Sequence, residues 1–239
     1  MMCSDQNTIQ QNLEQIRQQI HAAEQQYARH SNSVQLLAVS KTKPIEALKA
    51  AIDAGQTCFG ENYVQEGIEK IHYFAQHYTE AKLEWHFIGP IQSNKTRPIA
   101  ENFDWVHSVD REKVAQRLND QRPEQARPLQ VLIQVNTSGE ASKSGTNQDD
   151  IFHLAELINA LPNLTLRGLM SIPENVSDYP SQLRAFKQLA ELNRKLNQRY
   201  PQVDTLSMGM SGDMQAAIEA GSTMVRIGTA IFGARDYHK

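Results

Sequence analysis

The stretch QLLAVSKTKPIEALKAAIDAG, residues 35–55, contains one apolar run followed by one amphipathic helix pattern. The run, residues 35–40, is almost continuously apolar, which is typical of a strand that is buried on both faces. The helix pattern, residues 44–54, has Pro44 in its first turn and stops at Gly55. This stretch therefore predicts a strand that leads directly into a helix.

The same unit recurs along the chain. Seven further apolar runs lie at residues 57–60, 85–89, 105–109, 129–136, 166–171, 205–208 and 224–227. Helix patterns lie between them, at residues 63–74, 94–102, 111–118, 149–161, 182–196 and 213–220. Repeated strand–helix units imply parallel strands, and eight of them close most simply into a (β/α)8 TIM barrel. An open doubly wound α/β sheet is the alternative, which is disfavoured because no unit carries the glycine-rich dinucleotide fingerprint.

Composition and the first residues narrow the class of protein. The chain has 239 residues, of which 40% are hydrophobic and 21% charged, and its net charge is −3. These values are ordinary for a folded protein, and they provide no basic field for nucleic acid or an anionic membrane. Residues 9–29 carry one apolar stripe, which is typical of an amphipathic helix. We therefore predict one domain, residues 1–239, with a leading helix in residues 1–31 and a barrel in residues 32–239.

The cysteines and histidines indicate neither disulfides nor a metal site. Cys3 lies near the start and Cys58 in an apolar run, so a disulfide framework is not expected and a reducing cytoplasm is predicted. Residues 1–10 lack the features of a signal peptide. The nearest histidine pair, His72 and His77, is five residues apart on a helix pattern, which is poor geometry for zinc. No apolar run is long enough to span a bilayer.

Lys41 is the first candidate for chemistry, because active sites of barrels lie at the carboxyl ends of the strands. It comes directly after the first apolar run. A lysine amine is a nucleophile only when it is neutral, and burial or a second cation such as Lys43 or Arg226 favours that form. Such an amine forms imines with carbonyl compounds. A solvated surface lysine is the alternative.

Two stretches after the last two predicted strands have the residues of a phosphate site. Ser211, Gly212 and Asp213 precede a helix pattern, and helix starts expose N–H groups that favour anions. Gly228 and Thr229 follow the last strand, where glycine permits close approach of a ligand and threonine adds a hydroxyl donor. Many barrels bind phosphate at these two loops. Plain capping by Ser211 and a simple turn at Gly228 are the alternative.

Arg226 and His86 lie inside apolar runs, so both require polar partners. For Arg226 the partner is either a carboxylate, with Glu61, Asp104 and Asp213 as candidates, or an acceptor atom of a ligand. For His86 a hydrogen-bonded position in the core is the simpler interpretation.

Seven stretches together resemble a known family. They are AVSKTKP (38–44), FGENYVQE (59–66), WHFIGPIQSNK (85–95), VNTSGEASKSG (135–145), GLMSIP (168–173), SMGMSGD (207–213) and VRIGTAIFG (225–233). They resemble the pyridoxal phosphate homeostasis protein family, whose single-domain fold type III barrels are similar to the amino-terminal barrel of alanine racemase. The resemblance covers nearly the whole chain from residue 36 to residue 233.

The resemblance implies pyridoxal 5′-phosphate (PLP) as the cofactor. It identifies Lys41 as the lysine that forms a Schiff base with PLP and places Arg226 opposite the pyridine nitrogen. The other cofactor-binding residues that it implies are Ser211, Gly228 and Thr229 at the phosphate, and Asn62, His86, Met170 and Ser207 around the ring.

The resemblance also implies intracellular PLP homeostasis, in which the protein buffers PLP or delivers it to apo PLP-dependent enzymes without catalytic turnover. A guanidinium cannot accept the proton of a protonated pyridine, so the ring should be a weak electron sink. The chain also shows no counterpart of the carboxyl-terminal domain that supplies a tyrosine acid/base in alanine racemase, and Tyr237 is not placed at the cofactor.

Several alternatives and secondary expectations accompany this interpretation. The alternative activities are a PLP-dependent amino acid racemase of low activity and a cofactor-free Schiff-base aldolase. A monomer or weak dimer is expected, with no metal, nucleic acid or membrane partner. The charges that are interpreted as solvated surface groups rather than as parts of a transfer route are Lys43, Lys143, Arg235 and Lys239.

Overall fold

The computed structural model describes residues 3–138 and 144–234, so Lys143, Arg235, Tyr237 and Lys239 lie outside the described residues. The strands are β1 (Gln35–Val39), β2 (Cys58–Glu61), β3 (Glu84–Phe87), β4 (Trp105–Val109), β5 (Leu129–Val135), β6 (Leu164–Ser171), β7 (Thr205–Ser207) and β8 (Met224–Ile227). The helices are α1 (Cys3–Gln26), α2 (Ile45–Asp53), α3 (Val64–His77), α4 (Thr96–Asn102), α5 (Glu112–Gln121), α6 (Ile151–Asn159), α7 (Tyr179–Arg199), α8 (Met214–Ala220) and α9 (Thr229–Phe232). Short 3₁₀ turns, Ser93–Lys95 and Gln148–Asp150, precede α4 and α6.

The eight strands form a closed parallel barrel in chain order, with β1 paired to both β2 and β8. This confirms the predicted TIM barrel, and the open sheet is wrong. Each predicted apolar run overlaps one strand. The runs were recognisable because both faces of these strands are buried, the inner face in the barrel and the outer face under the helices.

The leading helix packs on the outside of the barrel. Its apolar stripe, with Leu13 and Ile16 at its centre, is buried against the rest of the core. Asn12 Nδ2 donates to the carbonyl of Ile231 at 3.0 Å, and Arg17 donates to the carbonyl of Ala54 at 2.8 Å. These bonds tie α1 to the ends of α9 and α2, which lie beside the first and last strands. The described helices include no segment that is both long and apolar enough to cross a membrane.

Gly89 permits the ends of β2 and β3 to approach each other at the carboxyl-terminal mouth. A Cβ atom at this position would lie 2.4 Å from the carbonyl oxygen of Asn62. Any larger residue would therefore require the backbone at Gly89 or Asn62 to shift. This close approach fixes the position of Asn62 at the mouth.

Candidate functional site

A cavity of about 310 Å³ opens at the carboxyl ends of the strands. Six of the nine cofactor-binding residues predicted from the sequence line it, namely Lys41, Asn62, Ser211, Arg226, Gly228 and Thr229. Its other lining residues are Val39, Lys43, Ile88, Ile172, Met210, Gly212 and Gly233. The fold therefore brings the predicted amine, guanidinium and phosphate loops into one space.

The residues on both sides of Lys41 are hydrogen-bonded to carboxylates. Ser40 Oγ donates to Glu61 Oε1 at 2.7 Å, and the N–H of Thr42 donates to Glu66 Oε1 at 2.5 Å. Thr42 has φ of +65°, a left-handed conformation that a β-branched residue adopts only when it is held there. Lys41 therefore leaves the strand end from an anchored backbone. The other side chain of this stretch that lines the cavity, Lys43, donates to the carbonyl of Gly233 at 3.1 Å.

Lys70 joins these carboxylates into a buried ion cluster. Its Nζ lies 2.7 Å from Glu61 Oε1 and 2.7 Å from Glu66 Oε1, and it also donates to the carbonyl of Ser40 at 2.7 Å. Burial raises the pKa of Glu61, and the charge of Lys70 opposes that rise. The Oε2 atom of Glu61 has no hydrogen-bond partner in the described part of the chain. The cluster therefore depends on Lys70 for its charge balance.

The loop after β7 differs from its prediction. The helix α8 begins at Met214 rather than at Ser211, because the Asp213 carboxylate accepts a hydrogen bond from the N–H of Met210 at 2.6 Å and closes a turn first. Capping of α8 by Ser211, the alternative interpretation, is therefore wrong. Ser211 and Gly212 lie in the turn instead, where both are exposed and line the cavity.

The loop after β8 contains a helical turn that the sequence pattern did not reveal. The helix α9 begins at Thr229, directly after Gly228. The first N–H groups of a helix have no acceptor within it. Thr229 and the residue after it therefore present backbone donors at the mouth, in addition to the predicted threonine hydroxyl.

Arg226 is buried without a carboxylate partner among the described residues. It donates to Ser207 Oγ at 2.6 Å and to the carbonyl of Ser171 at 2.8 Å. The candidates Glu61, Asp104 and Asp213 form no ion pair with it, so the carboxylate interpretation is wrong in the described part of the chain. Burial lowers its pKa to about 10, against the raising effect of Asp213, so the guanidinium stays charged at neutral pH. Its remaining N–H donors are available to a ligand.

Three predicted site residues are fully buried and do not line the cavity. His86 is fully buried and hydrogen-bonded, to Glu84 Oε1 at 2.7 Å and to His107 Nε2 at 2.8 Å. Met170 packs against Trp105 in a small buried cluster. Ser207 lies behind Arg226 as its hydrogen-bond acceptor. The contact of these three residues with a cofactor stays a prediction.

The apolar wall of the cavity was not predicted from the sequence. Ile88 and Val39 lie at strand ends, while Ile172 and Met210 stand at the rim with 49% and 44% of their surfaces exposed. Apolar residues in such runs look like ordinary core residues. Only the exposure of the two rim residues, which the sequence does not show, distinguishes them.

The amino-terminal end of the barrel brings together Cys58, Glu84 and His86, whose ligand atoms all lie within 4.8 Å of one another. Spacing along the chain did not indicate this group. His86 Nε2 and Glu84 Oε1 already bond each other at 2.7 Å, and burial raises the pKa of the Cys58 thiol to about 11. Since metals bind the thiolate, a protonated thiol disfavours a metal here. The absence of a metal site stays a prediction.

Comparisons with known proteins agree with the geometry. Residues 5–236 match the family model described as the alanine racemase N-terminal domain. The chain is 71% identical over 232 residues to the pyridoxal phosphate homeostasis protein of Vibrio cholerae, with 97% of this chain and 98% of that protein covered. It is 57% identical over 233 residues to the protein of the same name from Escherichia coli, with 98% and 99% covered.

Two solved structures are similar to this barrel. PipY from Synechococcus elongatus, solved with PLP bound, is 35% identical with a TM-score of 0.79, covering 94% of this chain and 100% of that one. An alanine racemase from Clostridium difficile has a TM-score of 0.74 at 14% identity, covering 98% of this chain and 58% of that one. The second likeness is one of fold alone.

Proposed function

Because this chain belongs to the pyridoxal phosphate homeostasis protein family, we propose that it holds PLP reversibly on Lys41 and buffers or delivers it in the cell. One observation carries this proposal. A single cavity is lined by an amine on an anchored strand end, a charged guanidinium, and the two loops that follow the last two strands.

The residues present fit the cofactor. PLP supplies an aldehyde that forms a reversible imine with a primary amine, a ring whose nitrogen accepts a hydrogen bond, and a phosphate. Lys41 offers the amine, and Arg226 offers the donor for the ring nitrogen. Ser211 and Thr229 offer hydroxyls, and the start of α9 at Thr229 adds backbone donors. The buried Oδ1 atom of Asn62 has no partner in the described chain, and it lies on a residue of the same wall.

The same wall supports a role without turnover. Besides the amines of Lys41 and Lys43, the described lining residues include no histidine, tyrosine or carboxylate, and the Lys43 amine is bonded to the carbonyls of Gly233 and Ala234. Proton transfer at a substrate carbon therefore lacks the second acid or base that such a side chain would supply. Arg226 is a donor that keeps its own charge, so it does not favour a protonated pyridine nitrogen. Both features favour holding PLP over proton transfer at a substrate carbon.

The exposed rim supports exchange with a recipient protein. Ile172 and Met210 are large apolar side chains with about half of their surfaces exposed at the cavity mouth. Delivery to apo PLP-dependent enzymes fits an open mouth of this kind. A cytoplasmic location and a monomeric or weakly dimeric state stay predictions.

Titration with PLP, followed by visible absorbance, tests the proposal. We expect a shift of the absorbance of free PLP with the wild-type protein and no shift with Lys41→Ala. Lys95→Ala is the matched control, because Lys95 is an exposed lysine near the same end of the barrel and does not line the cavity. An equal shift with Lys41→Ala would rule out Lys41 as the attachment point. Exchange of the Cα hydrogen of L-amino acids with deuterated water, at many turnovers per protein, would contradict the role without catalysis.

A further inference from the structure

A continuous line of hydrogen-bonded side chains passes through the barrel interior from its amino-terminal end to the cavity. We call these residues, Glu84, His86, His107, Ser207 and Arg226, the polar column. Glu84 Oε1 lies 2.7 Å from His86 Nε2, and His86 Nδ1 lies 2.8 Å from His107 Nε2. His107 Nδ1 lies 2.9 Å from Ser207 Oγ, which accepts from Arg226 at 2.6 Å.

The chemistry at the cavity end fixes the direction of every bond in the column. A guanidinium has no acceptor, so Arg226 donates to Ser207. The Ser207 hydroxyl then has one proton to donate, and its other partner in the described structure is His107 Nδ1. A neutral His107 must therefore carry its proton on Nε2 and donate it to His86 Nδ1.

The chemistry at the other end requires the same direction independently. His86 Nε2 faces a carboxylate oxygen of Glu84, which accepts, so the proton of a neutral His86 must be on Nε2. The reversed arrangement would place two acceptors 2.7 Å apart at Glu84 and would leave the Ser207 hydroxyl proton without an acceptor. Both ends thus select the Nε2–H form of both histidines.

The surroundings keep the middle of the column neutral. His86, His107 and Ser207 are fully buried. Burial lowers the pKa of His86 and lowers that of His107 well below its ordinary value. The hydrogen bond from His86 lowers the pKa of Glu84, whose side chain is 40% exposed at the amino-terminal end. The column therefore connects a carboxylate at one mouth to a cation at the other through neutral groups.

We propose that Glu84, His86 and His107 are positioning residues, which act through Ser207 to hold the Arg226 guanidinium at the cavity wall in a single donor arrangement. Every bond of the column donates toward Glu84, and the Arg226 end and the Glu84 end require the same direction. The consequence for PLP binding rests on the proposed function, whereas the bond direction does not.

The direction is tested on the protein without cofactor. Imidazole ¹⁵N NMR at neutral pH distinguishes the Nε2–H form, the Nδ1–H form and the charged form of each histidine. We expect His86 and His107 both to be neutral with the proton on Nε2. Glu84→Gln keeps an acceptor for His86 and should preserve both forms, and Glu84→Met should still leave His107 in the Nε2–H form, because the Arg226 end alone sets its direction. An Nδ1–H or charged form of either histidine in the wild-type protein would overturn the proposal.

The positioning role is tested with Ser207→Ala, which removes one hydroxyl and no other contact of the column. We expect the Kd for PLP to rise about tenfold, since Arg226 loses its buried acceptor. The matched control is Ser108→Ala, which removes an equally buried hydroxyl that has no partner in the described structure and lies beside His107 in sequence. It should change the Kd by less than about twofold.

His107→Phe breaks the column in its middle and should weaken PLP binding in the same direction. If that variant does not fold, the PLP affinity of Ser207→Ala and the protonation forms of the two histidines in the wild-type protein still test the proposal. Equal affinities of Ser207→Ala and Ser108→Ala would overturn the positioning role. A wild-type protein that does not bind PLP but shows both Nε2–H forms would contradict the proposed function alone, with the bond direction intact.

Discussion

Lys41, which follows the first strand of the barrel, and Arg226, on the last strand, are supported in opposite ways. The strand end that carries Lys41 is fixed by a buried cluster of charges, in which Lys70 balances Glu61 and Glu66. Arg226 has no such partner in the described structure, and a hydroxyl and a carbonyl hold it instead. We therefore expect the loss of Lys70, whose cluster supports the first strand end, to lower the stability of the fold. Loss of Arg226 on the last strand should instead weaken ligand binding.

The largest effect is expected for Lys70→Met. It leaves Glu61 as a buried carboxylate without its cation, which costs about 3–5 kcal/mol in the free energy of unfolding. Urea unfolding measures this change. Arg194→Met, which breaks the exposed pair with Glu191, is the control and should barely move the midpoint. The double variant Lys70→Met with Glu61→Gln should recover part of the loss, and a small loss in the single variant would show that the cluster is not the support of this strand end.

Arg226→Met is expected to separate binding from folding. It removes a buried charge that forms no ion pair with a carboxylate among the described residues, so the free energy of unfolding should change by less than about 2 kcal/mol. The affinity for PLP should nevertheless fall about 100-fold, because the ring nitrogen loses a charged donor. Unfolding by urea and titration with PLP measure the two quantities on the same sample. A loss of stability as large as that of Lys70→Met would contradict the claim that Arg226 serves ligand binding rather than folding.

The contributions of Glu84 and Glu61 to stability are expected to change with pH in opposite directions. The pKa of Glu84 is lowered in the folded protein, so its contribution to stability is present above its ordinary value of 4.5 and is lost as the pH falls through the folded pKa. The pKa of Glu61 is raised, so its contribution is present below that value and is lost as the pH rises through the folded pKa.

Urea midpoints of Glu84→Gln and Glu61→Gln, measured from about pH 3 to about pH 8, check this contrast. Relative to the wild-type protein, Glu84→Gln should lose less stability on acidification from about pH 5. Glu61→Gln should gain relative stability as the pH rises above the same range. If the urea midpoints of the two variants changed with pH in parallel, the pKa values of Glu84 and Glu61 would not be shifted in opposite directions.

The smallest effect is expected for Thr42→Gly. A β-branched residue at φ of +65° is strained, and glycine relieves that strain at the cost of a more flexible unfolded chain. The net change should be a stabilisation of less than about 1 kcal/mol, since the N–H that donates to Glu66 is retained. Thermal unfolding measures it, with Thr57→Gly as the control at an exposed position without positive φ. Destabilisation beyond that of the control would mean that the Thr42 side chain itself holds Lys41.

The sequence predicted the barrel because strands buried on both faces leave nearly continuous apolar runs, which alternate with helix patterns. It predicted Lys41 and Gly228 at the mouth because each directly follows such a run. The residue pattern interpreted His86 as a hydrogen-bonded core residue, as the structure has it, whereas the family resemblance implied a place around the cofactor ring. Ile88, two residues on, lines the cavity instead.

Other features follow only from closure of the barrel. His86 and His107 are 21 residues apart and His107 and Ser207 are 100 residues apart, so no local pattern joins them into a column. The helix α9 has four residues, which is too short for a periodic pattern to appear. Ile172 and Met210 resemble core residues in sequence, and only the open mouth makes them part of the site.

Reduction of the PLP-loaded protein with borohydride, followed by digestion and peptide mass spectrometry, tests the central claim most directly. Reduction converts a reversible imine into a stable bond at whichever amine carries it. We expect the added mass on the peptide that contains Lys41, at that residue and no other. Mass on a different lysine, or no added mass at a saturating concentration of PLP, would contradict the account.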